Sequence, residues 1–218
     1  MKKFKKISLI TNICLVLIIT FVFSIGMLDG NTVETYGGKE LSAIYHGNEN
    51  NKNVSLMVNV YENTEVVNGI IDLFIEKNIK ATFFVGGCWA DDNCKTILRL
   101  KENGFEIANH GYFHKDHSKL SKENNRKEIE NCSKIIEVFT GQGTTLFAPP
   151  SGAFNNDTLT VSNELNYKVI MWSKDTIDWR DSDKDLIYKR ATNNCKNGDL
   201  ILMHPKKHTL EILPKIID

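Results

Sequence analysis

The sequence predicts an α/β protein whose parallel sheet is closed or nearly closed into a barrel, preceded by an apolar N-terminal segment. Three observations carry this. From Val54 onward, short apolar runs alternate with amphipathic stretches of helical period, the pattern of successive βαβ units. The chain has 218 residues, 41% of them apolar, enough for one folded unit with its own core. Ile7 to Leu28 carries no charge, and Lys2, Lys3, Lys5 and Lys6 stand just before it.

The run Ile7–Leu28 is long enough as a helix for a bilayer core, which needs roughly 20 apolar residues, and longer than a secretory h-region of about 7 to 15. Neither Phe23-Ser24-Ile25 nor Ser24-Ile25-Gly26 makes a good cleavage site. An uncleaved signal anchor over residues 1–28, lysines inside and the remainder extracytoplasmic, is the favoured reading. A cleaved signal peptide and a secreted product is the alternative. Residues 29–53, rich in Asn, Gly and charge, read as a spacer, with Leu41–Tyr45 as an edge strand, and residues 54–218 form the domain.

Within the domain, Val54–Val60 reads as a buried strand and Glu65–Lys77 as a helix with Val66, Ile70, Leu73 and Phe74 on one face. Strands are predicted at Ala81–Val85, Glu106–Asn109, Leu146–Phe147, Lys168–Trp172 and Leu200–Met203. Helices are predicted over Asn93–Asn103, from Ser121 to Phe139 with a stop at Gly141, over Asp157–Leu165 and over Asp183–Cys195.

Lys plus Arg and Asp plus Glu both number 27, so no overall field points to nucleic acid. Of five cysteines, Cys88, Cys94, Cys132 and Cys195 lie in the exported part; Cys88 and Cys94 are spaced to close a small loop, but no cluster has metal-ligand spacing. In such barrels, polar residues at the C-terminal ends of strands converge on one mouth. Those places hold Asn59 with Val60, His110 with His114, Ala148–Gly152, Asp175 with Asp178, and His204. Two imidazoles four residues apart can meet one metal ion; two surface-loop histidines are the plainer reading. His117 reads as solvated.

The segments KATFFVGG (Lys80–Gly87), EIANHGYFHKDHSKLS (Glu106–Ser121), FAPPSGAFN (Phe147–Asn155), MWSKDTIDW (Met171–Trp179) and GDLILMHP (Gly198–Pro205) together resemble the polysaccharide deacetylases of the NodB-homology class, carbohydrate esterase family 4, over about Val54 to His204. The resemblance implies a distorted (β/α) barrel, complete or short of its last elements, since relatives continue beyond a point equivalent to Asp218 through a helix and a final strand.

What the resemblance implies for the site is mixed. His110 and His114 match the metal ligands of H-S/T-x-x-H, with Gly111 at the hydroxyl position. Asp175 is assigned as the carboxylate that holds the catalytic imidazole, His204 as the acid of L-x-H, and Pro150, Gly152 and Trp179 as substrate-binding, Trp179 being equally readable as a core aromatic. The first motif, T-F-D-D-G, reads Met57-Val58-Asn59-Val60-Tyr61: Asn59 stands at the base position and Val60 at that of the metal-binding Asp. An amide takes up no proton at neutral pH and Val60 cannot ligate. Glu62 or Glu65 is the candidate substitute. The third motif, R-P-P-Y-G, reads Ala148-Pro149-Pro150-Ser151-Gly152, so the Arg that orients the base is lost with it; the first motif resembles the N-V-x-W-G of a sporulation-associated subset of the family, departing from it at Tyr61 and Glu62, where that subset has small and Trp residues. The implied activity is metal-dependent N-deacetylation of an N-acetylated cell-wall polysaccharide such as peptidoglycan, with a divalent cofactor, zinc by preference for imidazole ligands. The alternative is a noncatalytic glycan-binding or scaffolding module on the same fold.

Overall fold

The computed structural model describes residues 41–218, so the run Ile7–Leu28 and the spacer before Leu41 lie outside the described residues. Among the described residues no helix is long and apolar enough to cross a membrane.

Seven strands build one sheet: β1 (Ser55–Val60), β2 (Thr82–Val85), β3 (Glu106–Asn109), β4 (Leu146–Phe147), β5 (Lys168–Val169), β6 (Lys174–Asp175) and β7 (Leu200–Met203), in the spatial order β5-β4-β3-β2-β1-β7-β6. Every pairing is parallel, and the sheet curls into a half-barrel. Helices return the chain between strands: α1 (Thr64–Glu76) after β1, α2 (Gly87–Asp92) and α3 (Cys94–Glu102) after β2, α4 (Lys122–Thr140) after β3, α5 (Asn156–Glu164) after β4, α6 (Lys184–Thr192) after β6, and α7 (Lys207–Ile217) after β7.

The predicted helices end where capping chemistry ends them. Ser121 Oγ accepts the Asn124 N–H at 3.3 Å to start α4, and Gly141, at φ 67°, stops it in the left-handed region open to glycine. Asn155 and Thr158 form a reciprocal capping box at α5. Ahead of β1, Ile44 bridges Ile170 beside β5 and His46 bridges Asp199 beside β7, so the segment from Ile44 to Gly47 joins the two flanks of the sheet.

Alternation along the strands sorts the core into two layers. Met57, Phe84, Ala108, Ala148, Ile170, Leu200 and Leu202 pack together inside the curl. Val58, Val60, Phe83, Val85, Ile201 and Met203 face the other way, against Val67, Ile70, Phe74, Ile97 and Leu213 of the helices. Ile70, Phe74 and Ile97 are fully enclosed there. Each such side chain contributes roughly 1.5–3 kcal/mol by leaving water. Stepping two residues past Met57, Ala108, Ile170 and Leu202 along the inner rows reaches Asn59, His110, Trp172 and His204. All four line a single cavity at the strands' C-terminal ends. The same parity places Val60 on the helix side, wholly buried and away from the cavity.

Among the described residues no disulfide forms: Cys88, Cys94, Cys132 and Cys195 are all free. Cys132 is fully buried, which pushes its thiol up to about 12.

Candidate active site

The cavity measures about 250 Å³ and is lined by residues from five strand ends: Asn59 and Tyr61 at the end of β1, His110 and His114 after β3, Ser151 after β4, Asp175 and Trp179 at β6, and Leu202 and His204 at β7, with Trp172 between β5 and β6. Its chemistry divides between two facing groups.

The first is the imidazole pair. The His110 and His114 rings lie 5.1 Å apart, edge to face at 67°. His110 donates from Nδ1 to the Ala148 carbonyl at 2.7 Å, which fixes its tautomer and leaves Nε2 with a free lone pair. Burial, followed by the neighbouring His114, pulls the His110 pKa down to about 3, so the ring is neutral. Burial likewise lowers that of His114. The loop between them is clamped from behind: Asn109 Oδ1 accepts the Gly111 N–H at 2.8 Å, and Glu128 Oε2 accepts the Phe113 N–H at 2.8 Å. Gly111 at φ 73° and His114 at φ 54° turn the chain through left-handed conformations. His117, expected in solvent, is instead fully buried beneath this loop and donates from Nδ1 to Asn125 Oδ1 at 2.7 Å.

The second group is an acid network. Asp178 accepts three hydrogen bonds, from His204 Nδ1 at 2.8 Å, from the His204 backbone N–H at 2.8 Å and from Thr209 Oγ1 at 2.7 Å. Burial alone would raise the Asp178 pKa, but the bonds and charge of His204 and the Thr209 hydroxyl outweigh it and hold the carboxyl below its ordinary value. A carboxylate only accepts, so Nδ1 of His204 carries the proton and Nε2 is the nitrogen left for a ligand.

This corrects one expectation. The partner of His204 is Asp178, not Asp175. Asp175 uses Oδ1 to accept the Ile177 N–H at 2.8 Å, in a turn where Ile177 sits at φ 54°. That turn carries Asp178 back to His204, while Asp175 stays on the cavity wall as its one carboxylate. The proposed substitutes also fall elsewhere: Glu65 is exposed on the first turn of α1, and Glu62 is ion-paired with Lys206 outside the cavity lining. Trp179 lines the cavity and is 53% exposed, which excludes a core role. Pro150 and Gly152 do not line it; they flank Ser151, which does, and a Cβ on Gly152 would meet the Trp172 ring at 2.7 Å. Gly152 thereby makes room for Trp172.

The donor set offers a partial fit to a divalent ion. Among the described residues no three His, Cys, Asp or Glu side chains converge on one point. The two neutral imidazoles stand close enough to share an ion at metal–nitrogen bonds of about 2.0–2.1 Å. Asn59 Oδ1, buried on the same wall, accepts no hydrogen bond from the described residues and is free to serve as a third, neutral oxygen donor. Such a set suits a weakly held zinc ion.

Residues 46–170 match the family model for polysaccharide deacetylase. The Bacillus subtilis protein YlxY is 33% identical over 174 residues, covering 80% of this chain and 54% of YlxY. A peptidoglycan-N-acetylglucosamine deacetylase of Bacillus cereus is 29% identical over 178 residues, covering 79% of this chain and 65% of that one. A CE4 family pseudoenzyme from Bacillus anthracis superposes with a TM-score of 0.79 at 32% identity, over 82% of this chain and 64% of that one; a mutant CE4 pseudoenzyme with restored enzymatic activity superposes equally well, at 0.79. The chain thus spans between about half and two thirds of the length of these relatives. With the family match, the strand-end placement of its motifs and the shared half-barrel, this chain belongs to the polysaccharide deacetylase family.

Proposed function

We propose that the domain hydrolyses the N-acetyl group of an N-acetylated cell-wall glycan, peptidoglycan or a related polymer, outside the membrane to which the run Ile7–Leu28 tethers it. The observation that carries this is the Asp178–His204–Thr209 network facing the same cavity as the imidazole pair. His110 and His114, with Asn59 Oδ1, would hold the ion, which when bound supplies Lewis acidity at the acetamide carbonyl. His204 is placed to act as an imidazolium, its Nδ1–H held by Asp178 and its Nε2–H given to the leaving nitrogen, which leaves the ring neutral. Asn59 cannot accept the proton of the attacking water, so that task falls to Asp175, whose Oδ2 has no hydrogen-bond partner among the described residues. Trp172 and Trp179 supply apolar faces at the cavity for a sugar ring.

A second reading rests on a specific observation. Asn59 and Ala148 replace the base and its orienting Arg, and Val60 faces the helices, so the cleft also suits a module that binds glycan without cleaving it. Acetate release from N-acetylglucosamine oligomers and peptidoglycan, with and without added zinc, decides between them. Zinc-stimulated release supports deacetylation; saturable glycan binding with no release supports the binding module.

A further inference from the structure

Tyr61 lines the cavity directly after Val60, and the geometry points to Tyr61 as a positioning residue for the imidazole of His114. The inference rests on the reading that His110 and His114 take a divalent ion. Its basis is a contrast between the two rings. His110 is steered by its hydrogen bond to the Ala148 carbonyl, the usual device by which a metal-binding imidazole is oriented. The His114 ring hydrogen-bonds only its own backbone, stands on a loop in a left-handed conformation at φ 54° and is only partly buried. No group from a neighbouring element fixes it by a hydrogen bond, as the Ala148 carbonyl fixes His110.

Tyr61 supplies what that loop lacks. Its ring lies on the His114 imidazole with centroids 3.9 Å apart and a tilt of 35°, and its centroid is 6.4 Å from that of His110. The platform itself is fixed, because Tyr61 follows Val60 at the end of β1, a strand paired on both sides, where the Val60 carbonyl accepts the Gly86 N–H at 2.8 Å. The stacking therefore holds His114 edge to face with His110, the arrangement in which both can reach one ion. At His114 an aromatic face adds, beside the ring's bond to its own backbone, the cross-element restraint that the Ala148 carbonyl gives the other imidazole.

The test titrates zinc alone into the full chain and into Tyr61→Phe, Tyr61→Leu and His114→Ala. Tyr61→Phe keeps the ring and should bind within about twofold of the natural chain, whereas Tyr61→Leu should bind about 2- to 10-fold more weakly. In a His114→Ala background, Tyr61→Leu should cost nothing further, a coupling that a general loss of structure would not produce. In the unmodified chain, the His114 ring-proton resonances should lie upfield of random-coil positions because of the Tyr61 ring current. Equal zinc affinity in Tyr61→Leu, the same loss with or without His114, or unshifted His114 resonances would each overturn the assignment. If zinc binds with unchanged affinity when His110 and His114 are both alanine, the metal reading falls and this inference with it; if binding needs both imidazoles but ignores Tyr61, only this inference falls.

Discussion

Replacing Asp178 is the sharpest perturbation the structure offers, because a single carboxylate ties β7, the turn after β6 and α7 together. Its side chain has no solvent exposure and accepts bonds from His204 Nδ1, His204 N and Thr209 Oγ1 at 2.7–2.8 Å. Alanine would strand these donors, and the fully buried Thr209 has no route to water. Each stranded buried donor costs about 1–3 kcal/mol, and breaking a buried pair from one side about 3–5 kcal/mol in all. Urea unfolding of Asp178→Ala at pH 7 should therefore show a loss of about 3–5 kcal/mol at unchanged m-value. Asp178→Asn keeps the volume but turns an amide donor toward other donors, and should lose somewhat less. The pH dependence has a definite sign. The folded carboxyl lies below its ordinary value, so its contribution is present above the unfolded pKa of about 3.9 and disappears as pH falls through the lower folded value. The gap between the natural chain and Asp178→Ala should shrink as pH drops below 4. A loss under about 1 kcal/mol at pH 7, or a gap that widens in acid, would refute this account of the network.

Three further outcomes are expected. Asp175→Asn retains an oxygen for the Ile177 N–H, so its thermal stability should stay near that of the natural chain while acetate release falls by about 100-fold or more; unchanged release would remove Asp175 as base. Asn59→Asp with Ala148→Arg should raise acetate release above that of the natural chain, and neither change alone should, since each leaves an unpaired charge near the buried inner layer; additive single effects would contradict this. The expressed full chain should fractionate with membranes; recovery from the medium with an N-terminus beyond Leu28 would show that the segment is removed.

The alternation of the strands was legible in the sequence, and with it most of the site. Val54–Val60 and Leu200–Met203 read as strands, and a period of two brings Asn59 and His204 inward with His110. The same parity also turns Val60 away from the cavity, which motif alignment alone did not reveal. The sequence does not separate Asp175 from Asp178 as the partner of His204, because two carboxylates three apart in a turn look alike, and nothing about an isoleucine signals the left-handed turn at Ile177 that separates their directions. The short α2 and two-residue β6 have too few residues for any periodicity, while Pro214 inside α7 obscures the spacing of Leu210 and Leu213. His117 shows the converse limit: a polar residue in a polar stretch gives no sign of burial until its partner Asn125, a helical turn into α4, is seen to enclose it.

The central claim is that His204, held by Asp178, acts as the acid in N-deacetylation, and acetate release under single turnover tests it most directly. With the full chain in excess over an N-acetylated glycan oligomer and zinc present, release should exceed the buffer rate and fall by about 100-fold or more in a folded His204→Ala protein. Equal release by both proteins would contradict the assignment of His204, and no release from the natural chain would contradict the proposed activity itself.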